Sequence, residues 1–344
     1  MADAARPAPA SLRTDVVIVG AGPVGLFAVF ECGMLGIKCH VVDTLEAIGG
    51  QCSALYPEKP IYDIPGYPRI DAAALVERLT EQAAPFHPVY HLNQRVERLS
   101  AQDGRWLVET SAGTRLDAAA VIVAAGAGAF GPNRPPLPGI ERYEGNGVHY
   151  LVRRAEDFRG KRVVIAGGGD SAVDWALALA DVAARVSVVH RRPKFRAAPE
   201  SARRMEALAA AGTLDLVVPY QLARLEGDGA RLAAVVVATL DGAERRLEAD
   251  ALLPFFGLAA DLGPIAQWGL ALDRHHVTVD PATCATSVPG IFAIGDVATY
   301  PKKLKLILSG FAEAAQAAHA IHPLVFPGEA LHFEYSTTKG VPEA

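Results

Sequence analysis

The chain has 344 residues, of which 51% are hydrophobic and 21% charged, with a formal net charge of −5. That is length for two ordinary domains with ample cores. The charge balance gives no overall footprint for nucleic acid or a membrane surface, and apolar runs broken by Gly and Pro leave no stretch of roughly 18 clean residues to span a bilayer. Four scattered cysteines, Cys32, Cys39, Cys52 and Cys284, form no Cys-x-x-Cys pair and no disulfide ladder, so a reducing, cytoplasmic setting is expected.

The opening "MADAARPAPASLRTD" lacks the apolar core of a signal peptide and reads as a disordered Ala/Pro lead-in. Then "DVVIVGAGPVGLFAVFECGMLGIKCHVVD" reads as strand, Gly-rich turn, helix, strand. Val16–Val19 is a short apolar run of the buried parallel type. Gly20, Gly22 and Gly25 fill the G-x-G-x-x-G places, for a tight turn, close approach of backbone to a pyrophosphate, and tight helix–strand packing. The phosphates then face the unpaired N–H groups of a helix N-terminus. Asp43, after the second strand, stands where a carboxylate binds the ribose hydroxyls of a dinucleotide.

Next comes "GGQCSALYPEKP", with Cys52 but with Pro57 where a Cys-x4-Cys redox pair would need its second cysteine. A strand-like "NQRVERL" follows, and then "LDAAAVIVAAGAGAF", an apolar strand running into Gly126. A second dinucleotide unit lies in "KRVVIAGGGDSAVDWALALADVAARVSVVHRRPKFR", with Gly167, Gly169 and Ala172 in the pattern after the strand Arg162–Ala166. Its second strand, Val186–Val189, ends in His190, Arg191 and Arg192, with Lys194 and Arg196 close by and no carboxylate at the ribose position. Cations there suit a 2′-phosphate, so the site reads as one for NADP rather than NAD; the alternative is a solvated basic face. Farther on, a strand ends at Gly295-Asp296 and a long helix is expected over about Leu306 to Ile321. The first domain is therefore expected to be discontinuous, residues 1–126 and 259–344, with the NADPH domain, 127–258, inserted. His87 and His91, and His319 and His322, have helical spacing but no third ligand; they read as surface or capping residues, and no metal site is expected.

With these pieces placed, the sequence from Thr14 to Lys339 resembles the thioredoxin-reductase-like ferredoxin (flavodoxin)–NADP(+) reductases. The resemblance is carried by "GAGPVGLF", "GGQCSALYPEKPIYDIPGYP", "AGAGAFGP", "GGGDSAVDWALAL", "HRRPKFRA", "LGPIAQWGL", "GDVATYPKKLKLILSGFAEA" and the tail "YSTT". "SALYPEK", "GGGDSAVDWAL" and the tail extension are its most specific motifs. It implies an α/β fold of two Rossmann-like, three-layer FAD/NAD(P)-binding domains, with FAD in the first and NADPH in the second. It also implies a homodimer, and ferredoxin or flavodoxin as partner. Both disulfide routes of related reductases are missing: Leu151 to Arg154 holds no cysteine and Pro57 takes the other place, so Cys52 is expected to be a buried small hydrophobe.

Individual roles follow from the same resemblance. Tyr56 is placed flat against one face of the flavin ring, and Tyr335, from a partner subunit, on the other. Gln51 bonds the flavin's polar edge, Val96 reads adenine through its backbone, and Phe130 packs beside the ring. Thr337 contacts the ring edge, and Asp296 bonds ribityl or pyrophosphate groups beneath a helix aimed at the flavin O2. The NADP residues are Gly167, Gly169, Ala172, His190, Arg191, Arg192 and Arg196. The activity implied is hydride transfer to flavin N5, then one-electron steps, with no side-chain acid or base and with a rotation of the NADPH domain to bring the nicotinamide to the flavin. The rivals are a flavin-binding sensor without turnover and an NADPH-dependent flavin oxidase or monooxygenase. Because ferredoxins and flavodoxins are usually acidic, Lys302, Lys303 and Lys305 of "YPKKLK" are candidates for a docking patch; the alternative is a solvated loop.

Overall fold

The computed structural model describes residues 11–229, 231–331 and 340. The chain divides into two compact units: one runs to Phe130 and resumes at Ala260, and the other is Gly131–Ala259.

The first unit is built on a sheet whose strands run in the order Val89–His91, Cys39–Val42, Leu12–Val19, Arg115–Val123, Arg105–Thr110 and Val96–Gln102. Leu12–Val19 is its centre, parallel to Cys39–Val42 on one side and to Arg115–Val123 on the other. Val16, Val17 and Ile18 are fully buried because both faces of the strand are covered: Val16 and Ile18 pack under the helices Pro23–Met34 and Ile307–Val325, and Val17 under the antiparallel strands that carry Val96 and Val108. The strand Arg115–Val123 changes partner along its length. Its first half pairs antiparallel with Arg105–Thr110, and its last three residues pair parallel with Ile291–Ala293. The helices Pro23–Met34 and Ile307–Val325 pack on one another through small residues: a Cβ on Gly310 would come within 2.4 Å of Val24 Cγ2. The long helix thus starts one residue later than expected and runs four residues farther. Pro323 sits inside its last turn.

The second unit repeats the design on a smaller scale. Four parallel strands lie in the order Asp215–Val217, Arg185–Val189, Arg162–Ala166 and Ala251–Pro254. Two helices, Asp170–Leu179 and Pro199–Ala210, and a three-stranded antiparallel sheet of Gln221–Gly227, Leu232–Ala238 and Glu244–Glu248 complete it. In each unit the first and fourth strands of the order 3-2-1-4 are neighbours. This is the point where connections leave in opposite directions and a crevice opens at the carboxyl ends of the strands.

Candidate functional site

In each unit a Gly-rich turn occupies that crevice. Gly20 follows the central strand with φ +115°, a backbone shape that a side chain resists, and a Cβ on it would meet the Ala124 carbonyl oxygen at 2.3 Å. A Cβ on Gly25 would lie 2.0 Å from the Gly20 carbonyl oxygen, so helix and turn touch backbone to backbone. Gly22 differs: nothing stands within 4 Å of where its Cβ would be. It precedes the helix Pro23–Met34 without any side-chain cap, so the first N–H groups of that helix are left for something in the cleft.

Asp43, at the end of Cys39–Val42, turns back onto this loop. Its Oδ2 accepts the Ala21 N–H at 2.6 Å and its Oδ1 the Leu45 N–H at 2.9 Å. Burial pushes its carboxyl above the usual range, against the pull of these donors. Gly20, Gly22 and Asp43 line one cleft together with Gln51, Tyr56, Val96 and Asp296. Gln51 begins the short helix Gln51–Ala54 and lies 3.8 Å from the position of a Cβ on Gly126. Val96, 3% exposed, opens its strand. Asp296 is exposed on the turn Gly295–Val297. Gly25 lies behind this wall, in the packing of loop on helix. The side chain of Phe130, and Tyr335 and Thr337, lie outside the described residues.

Cys52 is 2% exposed and unpaired, as are the other three cysteines. Burial pushes its thiol up to about 11, although Tyr56 hydrogen-bonds to it and Lys59 is near. Burial likewise raises the Tyr56 hydroxyl, helped by the neighbouring Cys52 and the Asp296 charge. Lys59 Nζ stands 5.6 Å from the centroid of the Tyr56 ring. The cleft therefore presents an aromatic ring and a thiol that stays protonated at neutral pH, which makes a poor nucleophile.

The second unit's turn follows the same plan, with one addition. A Cβ on Gly167 would come within 2.7 Å of the Phe255 carbonyl oxygen and 3.0 Å of Ala172 Cβ, and Ala172 is fully buried. Gly169 faces open space ahead of the helix Asp170–Leu179. Between them Gly168 is covered by the His190 ring, whose Cε1 would be 2.2 Å from a Cβ there. His190 also leans on Phe195, centroid to centroid 5.1 Å. Burial, and then the charges of Arg191, Arg192 and Arg196, hold its imidazole below the usual value. The Arg196 N–H donates to the Gly168 carbonyl at 2.6 Å and the Ala198 N–H to Asp170 Oδ1 at 2.8 Å, so the basic segment is folded over the turn. Arg191, Arg192 and Arg196 are exposed.

Three expectations need correction. Lys303 is no surface lysine: its side chain is 4% exposed and paired with Glu313, itself 2% exposed. Lys305 Nζ contacts His276 Nε2 at 2.5 Å, which leaves Lys302 as the one lysine of the run without a described side-chain contact, and the expected patch is not formed as a unit. His322 is buried against Phe326, and His91 Nε2 meets His40 Nδ1 at 3.0 Å, so neither is a plain surface residue. Among the described residues no group of three His, Cys, Asp or Glu could hold a metal ion, and no helix is long and apolar enough to cross a membrane.

The sequence reading gave no role to Gly168, Trp268 or Glu313. Trp268 lines the cleft and its indole N–H reaches the Glu97 carbonyl at 3.4 Å. Glu313 did leave a signal: in "GFAEAAQAAHAIH" it is an acid on the stripe Gly310, Ala314, Ala317, Ala318, Ile321, His322, where His322 is the only other polar residue.

Comparison with known proteins agrees with this plan. The family model described as pyridine nucleotide-disulphide oxidoreductase matches residues 14–320. The chain is 68% identical over 332 residues to a protein of Paramagnetospirillum magneticum named ferredoxin–NADP reductase, covering 96% of this chain and 98% of that one. A Rhodospirillum rubrum protein of the same name is 65% identical over 335 residues, with 96% and 97% covered. The thioredoxin reductase of T. acidophilum superposes with a TM-score of 0.79 at 24% identity, over 90% of this chain and 98% of that one, a likeness of fold. That of Lactococcus lactis gives 0.79 at 25% identity, over 91% and 99%.

Proposed function

The chain belongs to the pyridine nucleotide-disulphide oxidoreductase family and, within it, to the thioredoxin-reductase-like ferredoxin–NADP reductases, and from this premise we propose that it is an FAD-dependent enzyme moving electrons between NADPH and ferredoxin. One observation carries the choice between this activity and that of the thioredoxin reductases sharing the fold. Both crevices have their phosphate-binding turns, yet the second unit contains no cysteine at all, Leu151–Arg154 ahead of its turn included, and Cys52 beside the first turn is buried, unpaired and held protonated.

The first cleft suits FAD. Gly22 leaves room for close approach of a pyrophosphate, and the uncapped helix start offers N–H groups to it. Asp43 and Asp296 supply acceptors for hydroxyl groups, and Tyr56 a flat apolar surface. The chemistry supplied there is the cofactor's own, exchange between a two-electron donor and one-electron acceptors. The protein's part is binding, orientation and exclusion of water. Gly20 and Gly25 fix the turn, Gln51 and Asp296 hold the polar edge and chain, and the Val96 backbone reads the adenine. Phe130, Thr337 and Tyr335 of the partner subunit complete the flavin surroundings in this reading. In the second unit Gly167, Gly169 and Ala172 seat the NADPH pyrophosphate. His190, its imidazole held below the usual value and laid over Gly168, borders the NADPH site, and Arg191, Arg192 and Arg196 hold the 2′-phosphate.

The reading extends to flavodoxin as an alternative acceptor, to a homodimer, and to a cytoplasmic location, which four free thiols suit. The test is NADPH oxidation by the purified protein with ferredoxin, flavodoxin, thioredoxin and oxygen compared as acceptors. Fast, catalytic reduction of ferredoxin or flavodoxin is expected. Preference for thioredoxin or oxygen would overturn the assignment.

A further inference from the structure

Behind the cleft wall lies a buried polar cluster to which nothing above assigns a role. Glu313 sits on the covered stripe of the helix Ile307–Val325 and is 2% exposed. Its Oε2 accepts the Gly295 N–H at 2.7 Å. Its Oε1 accepts the Tyr300 hydroxyl at 2.7 Å and is paired with Lys303 Nζ, which also stands 5.2 Å from the Tyr300 ring centroid. Three donors, the Gly295 N–H, the Tyr300 hydroxyl and Lys303 Nζ, thus converge on one carboxylate.

Packing does not ask for an acid here. The neighbours on the stripe are Gly310, Ala314, Ala317 and Ala318, and burying a charge is unfavourable unless it is fully paired. What the carboxylate holds is the backbone of Gly295, a residue with φ +72° whose Cβ position is 3.4 Å from Val24 Cγ1 on the helix of the Gly-rich turn. The turn is thus clamped between Val24 on one side and Glu313 on the other. The next residue is Asp296, which reaches the cleft, and its charge acts on both Cys52 and Tyr56.

We propose that Glu313 is a positioning residue for the cofactor cleft: through the Gly295 N–H it fixes the turn that presents Asp296, with Lys303 balancing its charge. This rests on the reading of the cleft as an FAD site. Lys303 is then part of the cofactor support and not of any docking surface.

The experiment is a double-mutant cycle on the full-length holoprotein, in which serial dilution releases FAD and the freed flavin is read by its fluorescence. Glu313→Leu with Lys303→Met removes acceptor and counter-charge together and should weaken FAD retention about tenfold or more. Glu313→Gln with Lys303→Met keeps an acceptor for Gly295 and should restore retention to within about threefold of wild type. Combined with Asp296→Ala, the leucine pair should add less than about twofold to the loss from Asp296→Ala alone, because both act through one contact. Additive losses, or a leucine pair that retains FAD like wild type, would overturn the proposal. If the leucine pair gives no cooperative melt, Glu313→Asp carries the same cycle by drawing the carboxylate back one methylene. Unchanged retention or additivity there overturns the proposal equally. A wild-type protein that holds no FAD overturns the cofactor reading itself; a wild type that holds FAD with an additive cycle overturns only the role of Glu313.

Discussion

At the scale of single residues, Cys52 separates two chemistries. Its thiol, raised by burial from 9.0 to about 11, is protonated at neutral pH and has no partner. Cys52→Ser should therefore keep NADPH-dependent ferricyanide reduction within about twofold, measured by steady-state kinetics. The same shift gives a pH dependence of known sign. The folded protein keeps this proton after the unfolded chain has lost it, so stability is intact below pH 9 and falls as pH rises toward 11. The urea midpoint should decline over that window, and less steeply in Cys52→Ser, the difference amounting to at most about 3 kcal/mol. Arg191 and Arg192 supply a second residue-scale prediction. Both are exposed, so replacing them with Ala should leave the melting temperature nearly unchanged. It should raise KM for NADPH about tenfold or more and that for NADH by less than about twofold, since charge-assisted bonds to a phosphate are worth roughly 1.5–3 kcal/mol each. The arginines were legible because they follow a strand that a Gly-rich turn had already placed. Lys303 was misread for a matching reason: "YPKKLK" looks solvated, and only the return of the helix puts Glu313, ten residues on, against it.

At the scale of elements, the two strand–turn–helix units were readable because each glycine answers a local steric demand. Their neighbours, however, come from far along the chain: the Ala124 carbonyl stands over Gly20 and the Phe255 carbonyl over Gly167. The glycines are accordingly not equivalent. Gly25→Ala puts a methyl 2.0 Å from a backbone oxygen and should prevent the loop from packing, seen as a lowered or lost cooperative melt. Gly22→Ala meets no protein atom, so the melt of the FAD-free chain should be unchanged while FAD affinity, read by flavin fluorescence, falls about tenfold or more. The long helix is expected over about Leu306 to Ile321, and in the structure it ends four residues later, at Val325. Its last turn is held by tertiary burial of His322 rather than by a stop signal at Ile321.

At the scale of the whole molecule, the prediction concerns the tail and the proposed homodimer. Deleting residues from Glu334 onward should leave FAD bound and the dimer intact by sedimentation, yet shift the flavin absorption spectrum and change the stopped-flow rate of reduction by NADPH. An unchanged spectrum and rate would remove Tyr335 from the site. What the sequence determined by itself were the two Gly-rich strand–turn–helix units, the missing thiol pair and the run of cations after the second unit's second strand. Each is written in residues close together, where spacing along a strand or helix fixes which groups share a turn. Tertiary structure decided the rest: which carbonyl crowds each glycine, that His190 lies on Gly168, and that Glu313 and Lys303 are buried beneath Asp296. These contacts join segments distant in sequence. Burial and pairing there are set by where the sheet order brings strands and helices together, and no local pattern encodes that distance.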